Sequence, residues 1–279
     1  MKDLDWGRNV IARHVELTGD RILHCAMLIA MIALVVPSNA QRPTKSISLE
    51  DEVADVAIDR PGDLYATLRN GKIFRVDAEG NVLPLSGLSQ RPTLFDPRDG
   101  SRLFAYYRET QRYAYFSMSR EMSSHQVDSA FAISPWLICP SGDHNVWIAD
   151  AADNSIRKVN NATSRIDAEI RFEPGVSAIR YMREYQGFLF VLHPARGIIV
   201  FSSMGKELRT IGTGQIAYFN FLGEELYYPD GAEQLTFFNL FNADNRSVKL
   251  QRKATFSLLT DTRVFSIQQS RVEIFQAPR

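Results

Sequence analysis

Acids, bases and one histidine crowd into short polar segments, each bracketed by apolar residues. They include Arg69 and Lys72; Arg108, Glu109 and Arg112; Asp150 and Asp153; His193 and Arg196; and Asp230 and Glu233. Gathered on one face, these residues would form a mixed-charge rim able to recognise a polar surface, because loops on a rigid scaffold commonly carry binding groups. The same residue types also build tight turns for backbone reasons alone. Arg108, Glu109, Arg112, Asp150, Asp153, His193, Arg196, Asp230 and Glu233 are therefore the candidate partner-binding residues, and no catalytic residue is assigned.

Covalent chemistry has little to work with. Beyond residue 40 the histidines are His125, His144 and His193, and no Gly-x-Ser-x-Gly turn accompanies them. Cys139 sits in the apolar run Trp136-Leu137-Ile138-Cys139 without a spaced partner, which reads as a small buried hydrophobe. Between Arg102 and Arg120, arginines interleave with Phe104, Tyr106, Tyr107, Tyr113, Tyr115 and Phe116. Such a stretch resembles a stacking platform for single strands or sugars. Alternation in two paired strands explains it equally well, with buried rings capped by arginine stems.

These residues need a scaffold, and the spacing of apolar runs describes one. Beyond Gln41 the chain is a succession of short alternating runs broken by Gly, Asn, Asp and Pro, the pattern of an all-β protein. In the first unit, Val53–Asp59 leads through Pro61-Gly62-Asp63 to Leu64–Leu68. Asn70-Gly71 then turns into Ile73–Asp77, and Glu79-Gly80-Asn81 into Val82-Leu83. Equivalent second-strand anchors fall at Leu64, Leu103, Val146, Leu189, Leu226 and Val264, roughly 40 residues apart, the period of a four-stranded propeller blade. The spacing predicts a six-bladed β-propeller of four-stranded antiparallel blades over residues 41–279. The last unit, Thr255 to Ala277, has room for three strands, whereas Lys45–Glu50 forms a strand with no unit of its own. Pairing the two closes the ring and hides an open edge.

Ile58–Tyr65 and Asn145–Asp150, followed by Asn154–Val159, resemble NHL-type propeller repeats. Their pattern is a Gly-x-hydrophobic-aromatic-Val-x-Asp strand followed by an Asn-x-Arg-Ile strand. The unit from Pro92 to Met122 departs from it most. The resemblance implies a propeller and no particular function, since propellers host unrelated activities. Lactonase-type propellers of six blades hold a divalent ion through Glu, Asn and Asp converging on the central channel. The innermost strands here are expected at Val53–Ile58, Thr93–Asp96, Trp136–Cys139, Ser177–Tyr181, Ile216–Phe221 and Phe256–Leu259. They offer Asp55 and Asp96 and no third carboxylate, so no metal and no cofactor is expected.

The N-terminus carries an address. Arg21 precedes an apolar stretch, Ile22–Val36, that is short for a ~30 Å hydrocarbon core. Pro37-Ser38-Asn39-Ala40 then supplies a cleavage site between Ala40 and Gln41. Residues 1–40 thus read as a signal peptide and its hydrophobic helix, with an atypically long and acidic N-terminal extension. The mature protein is expected in the periplasm or outside the cell, and at a membrane only if the segment stays uncleaved. Lys plus Arg equals Asp plus Glu at 32 each, which excludes the basic excess of a nucleic-acid binder. The expectation is an exported, monomeric, non-enzymatic binding or scaffolding propeller that recognises a protein partner through its loop face. The alternative is a lactonase-like or carbohydrate-binding enzyme acting on a small molecule.

Overall fold

Alternating apolar residues with Gly, Asn and Asp at the turns leave little room for helices, and strands account for nearly every element. The computed structural model describes residues 42–277 apart from 87, 89, 99, 143, 144, 214, 215, 232 and 251. The leader, its cleavage site and His144 therefore lie outside the described residues.

Strand β1 (Lys45–Ser48) comes first. The first blade is then β2 (Val53–Ile58), β3 (Leu64–Leu68), β4 (Ile73–Val76) and β5 (Val82–Pro84). The second is β6 (Leu94–Asp96), β7 (Leu103–Tyr107), β8 (Arg112–Phe116) and β9 (Glu121–Gln126), and the third is β10 (Pro135–Pro140), β11 (Val146–Asp150), β12 (Ser155–Asn160) and β13 (Arg165–Arg171). A fourth follows with β14 (Tyr181–Tyr185), β15 (Phe188–His193), β16 (Gly197–Phe201) and β17 (Glu207–Ile211). The fifth holds β18 (Asn220–Leu222), β19 (Glu225–Pro229), β20 (Gln234–Asn239) and β21 (Asn245–Lys249). The chain ends with β22 (Phe256–Leu259), β23 (Arg263–Gln268) and β24 (Arg271–Gln276).

Each blade is an antiparallel four-stranded sheet, and the sixth is completed by β1 in the order β1-β24-β23-β22. Ile47 faces Val272 and Lys45 faces Ile274 across that seam. The main chain adds Thr44 N–H to Ile274 O at 2.7 Å and Leu49 N–H to Ser270 O at 2.8 Å. The ring is therefore closed by the strand that the sequence left without a unit, and the chain is a six-bladed β-propeller.

The core lies between blades, because a single sheet cannot cover both of its own faces. Tyr65 and Ile73 of the first blade pack with Phe95, Leu103 and Phe116 of the second. Phe190 and Ile198 of the fourth meet Phe219 and Leu226 of the fifth. Polar tips fasten neighbours sideways: Trp136 Nε1 donates to Ile179 O at 3.0 Å, and Leu259 N–H donates to Tyr227 Oη at 2.9 Å. The aromatic stretch of the second blade is buried within this stacking, and Arg102 lies 4.0 Å over the Tyr115 ring.

Two inner strands differ from expectation. The fourth does not run over Ser177–Tyr181: Val176–Ala178 is a single 3-10 turn, and the strand is Tyr181–Tyr185. Pro174 and Gly175 delay it, with Gly175 at φ 150° and Val176 plugged fully into the core. The fifth pairs only from Asn220, later than the expected Ile216. The first shift brings two charged residues, Arg183 and Glu184, onto the channel-side strand.

Candidate binding cavity

In an antiparallel sheet successive connections alternate between its two ends. The loops joining first to second strands therefore sit on one face of the ring, and those joining second to third strands on the other. All nine sequence-selected residues belong to the second of these faces. A concavity of about 790 Å³ opens on the first.

The nine residues are mostly engaged within the fold. Arg108 Nε donates to Trp136 O at 2.7 Å, and its guanidinium lies 3.5 Å over the Trp136 ring, tying the second blade to the third. Arg112 grips Glu121 through both terminal nitrogens. Asp153 pairs with Arg157, and Arg196 pairs with Glu207 at 2.6 Å. His193 is buried; its Nδ1 accepts from Ala195 N–H, and burial, assisted by Arg196, lowers its pKa. Glu109, Asp153, Asp230 and Glu233 are exposed, and Asp230 and Glu233 border a shallow hollow with Lys249 and Lys253. These residues do not converge on one point.

Asp150 shows why a turn acid can be structural. It is 2% exposed, and its two oxygens accept the backbone N–H groups of Ile133, Ser134 and Ala152. Asp150→Ala would leave three amides without partners beneath the rim. It is expected to destabilise the protein by about 2–4 kcal/mol in chemical denaturation, at roughly 1–3 kcal/mol for each buried group only partly rescued by water. A loss under about 0.5 kcal/mol would show the rim to be solvated instead.

The cavity is built differently. The fourth blade contributes β14 and its turn, where Gln186 and Gly187 both have positive φ, as a two-residue hairpin requires. Arg183 Nη1 donates to Asn220 Oδ1 at 3.0 Å, and its Nη2 lies 3.8 Å from Asp96 Oδ1. Arg98, on the loop after β6, sends Nη2 to Pro140 O at 2.6 Å and to Asp96 Oδ2 at 3.3 Å. Burial pushes the Asp96 pKa upward, but Arg183 and Arg98 outweigh it and hold the carboxyl below its usual range. Glu184, also on the lining, accepts from Ser141 Oγ, Gly142 N–H and Trp147 Nε1, with Lys158 at 3.8 Å. Beside the Arg183 guanidinium stands an aromatic wall: Tyr185 and Phe221 stack at 4.0 Å with rings 9° apart.

Sequence reasoning missed Arg98, Arg183, Glu184 and Asn220. The signal was Gln186-Gly187 itself, since counting back from a first hairpin places Arg183 and Glu184 on the inner strand. Among the described residues, no group of three or more His, Cys, Asp or Glu is arranged to hold a metal ion.

Fold and cavity together define a six-bladed propeller with a mixed-charge pocket on its first-to-second-loop face. Its likenesses to known proteins are those of a widely used scaffold. Residues 55–76, most of β2 with all of β3 and β4, match the family model for strictosidine synthase-like proteins, N-terminal. The β-propeller domain of Cps50 (Swd1) from Myceliophteria thermophila superposes with a TM-score of 0.56 at 12% identity, covering 85% of this chain and 100% of that one. Virginiamycin B lyase from Staphylococcus aureus gives 0.51 at 13%, covering 80% of each chain. The extracellular domain of BT4673, a one-component system of B. thetaiotaomicron, gives 0.51 at 14%, covering 80% of this chain and 32% of that one. At such identities the likeness shows the fold alone. None of the curated protein sequences matches the chain.

Proposed function

We propose that this chain is a non-enzymatic binding propeller, exported to the periplasm or the cell exterior, that holds a protein partner as a monomer. In this reading the partner engages the first-to-second-loop face rather than the opposite rim. One observation carries it: the open cavity on that face presents two guanidinium groups that share a single carboxylate, whereas the opposite rim spends its charges within the fold. The described lining offers charge and aromatic surface but no histidine, cysteine or lysine to carry a proton or an acyl group.

A photo-crosslinking side chain at Asp261, on the cavity mouth, is expected to give a discrete adduct with one partner in cells. The same side chain at Glu233, on the opposite rim, is expected to give none. Adducts from Glu233 alone would move the interface to the other face. Lactone hydrolysis by the purified protein, with or without added Ca²⁺, would overturn the non-enzymatic reading in favour of the lactonase-like alternative.

A further inference from the structure

We infer that the Arg98–Arg183 pair is a receptor for a single carboxylate group, whose apolar body lies against Tyr185 and Phe221. This rests on the reading of the first-to-second-loop face as the recognition face and names the chemistry recognised there.

Charge balance comes first. Among the described residues around the cavity, the acids and bases offset one another except at this point. Glu184 has Lys158 behind it. Asp59 and Arg263 stand on facing loops, with the Arg263 guanidinium on the carbonyls of Gly62 and Asp77. Arg60 and Asp261 are both exposed at the mouth. Asp96 is left to answer two guanidinium groups, one of which, Arg183, has a side chain only 9% exposed. One surplus positive charge in a poorly hydrated place calls for a monoanion, and a dianionic phosphate would overcompensate it.

Donor geometry agrees. Nε of Arg98 and Nε of Arg183 are both buried without a hydrogen-bond partner among the described residues. Arg183 makes one hydrogen bond, to Asn220, and its approach to Asp96 at 3.8 Å is too long to be another. Unspent N–H groups on a planar fork suit a carboxylate, which can accept two of them side by side.

The neighbouring wall fixes the rest of the ligand. The Arg183 guanidinium lies 5.7 Å from the Phe221 ring centroid, so a carboxylate seated there has an aromatic face beside its first carbons. Leu222 and Leu259 continue that apolar side. An organic acid with an aromatic or aliphatic body meets these conditions, as does the free C-terminus of a chain ending in an apolar residue.

The test is calorimetric titration of the full chain with four probes. They are phenylacetate, its neutral isostere phenylacetamide, and a short peptide ending in Phe with either a free or an amidated C-terminus. Saturable binding of a carboxylate is expected, with its amide counterpart weaker by about tenfold or more, the worth of a charge-assisted hydrogen bond. Arg183→Gln and Arg98→Gln are each expected to weaken binding by about tenfold or more, measured below the melting temperature of each variant, which falls because Asp96 loses a partner. Preference for the free-ended peptide over phenylacetate identifies a chain terminus as the source, and the reverse order identifies a small acid. Equal affinities for acid and amide, or no saturation by either carboxylate, overturn the proposal, and the unaltered protein alone decides this. If crosslinking from Asp261 persists while carboxylates fail, the recognition face stands and the receptor assignment falls.

Discussion

Removing residues 42–50 is expected to lower the melting temperature by about 6–24 °C and to drive the protein toward self-association. Strand β1 buries Ile47, and Leu49 follows it into the core, at 8% and 9% exposure. Each such side chain contributes about 1.5–3 kcal/mol, and at about 2–4 °C per kcal/mol for a domain of this size the pair accounts for that range. The loss is not confined to one blade. Without β1 the edge of β24 presents Val272, Ile274 and their unpaired main-chain groups to solvent, the template on which a second copy could pair. Ile47→Asp, which keeps the strand but sets a charge in the core, is expected to cost about half as much. Thermal melts followed by circular dichroism, together with size-exclusion chromatography, read both effects. An unchanged melt would mean that the seam carries no load.

Glu184 is expected to be the costliest single side chain to alter. Its carboxylate is 7% exposed and accepts from a serine hydroxyl, a backbone amide and an indole, with an ammonium group nearby. Glu184→Leu would leave all of these unanswered in a buried place and is expected to destabilise by about 3–5 kcal/mol near pH 7. Glu184→Gln keeps the shape but removes the charge, for about 1.5–3 kcal/mol. The second variant carries a pH signature. Burial raises the Glu184 pKa, but the bonds from Ser141, Gly142 and Trp147, with Lys158, outweigh it, so the folded value lies below the usual range of a glutamate. A depressed carboxylate stabilises the fold above its unfolded pKa, and that stabilisation is lost as pH falls through the folded value. The gap between wild type and Glu184→Gln in urea denaturation should therefore be full at neutral pH and shrink below about pH 4. A gap that stays constant into acid would show that the charge contributes nothing.

The repeat is written plainly in the residues. Leu64, Leu103, Val146, Leu189, Leu226 and Val264 all fall on the second strands of their blades, which in the first four blades are buried on both faces and must be apolar. Lys45–Ser48 could be placed because a blade with three strands needs a fourth. The cavity was harder to see. Its principal residues lie on a first strand, which faces the channel and tolerates Arg183, Glu184 and Asn220 where a core strand would not. A search for apolar runs therefore slid that strand back to Ser177–Tyr181, over residues that fold as a turn. The polar segments that drew notice first, such as Asp150 and Asp153, were conspicuous because turns require such side chains. Which end of the ring forms the cavity depends on how five blades tilt their loops together, and no spacing along the chain records that.

The seam between β1 and β24 also bears on when this protein can become itself. Thr44 bonds to Ile274 across 230 residues of chain, so the first strand made waits for the last. Individual blades can collapse early from local hairpins, but the circle cannot latch on a partial polypeptide, and contacts of such sequence separation form slowly. A chain that must be threaded through a narrow passage before it folds gains from this order of events. Until β24 has emerged the six sheets cannot join into a ring, and its arrival is the signal to lock.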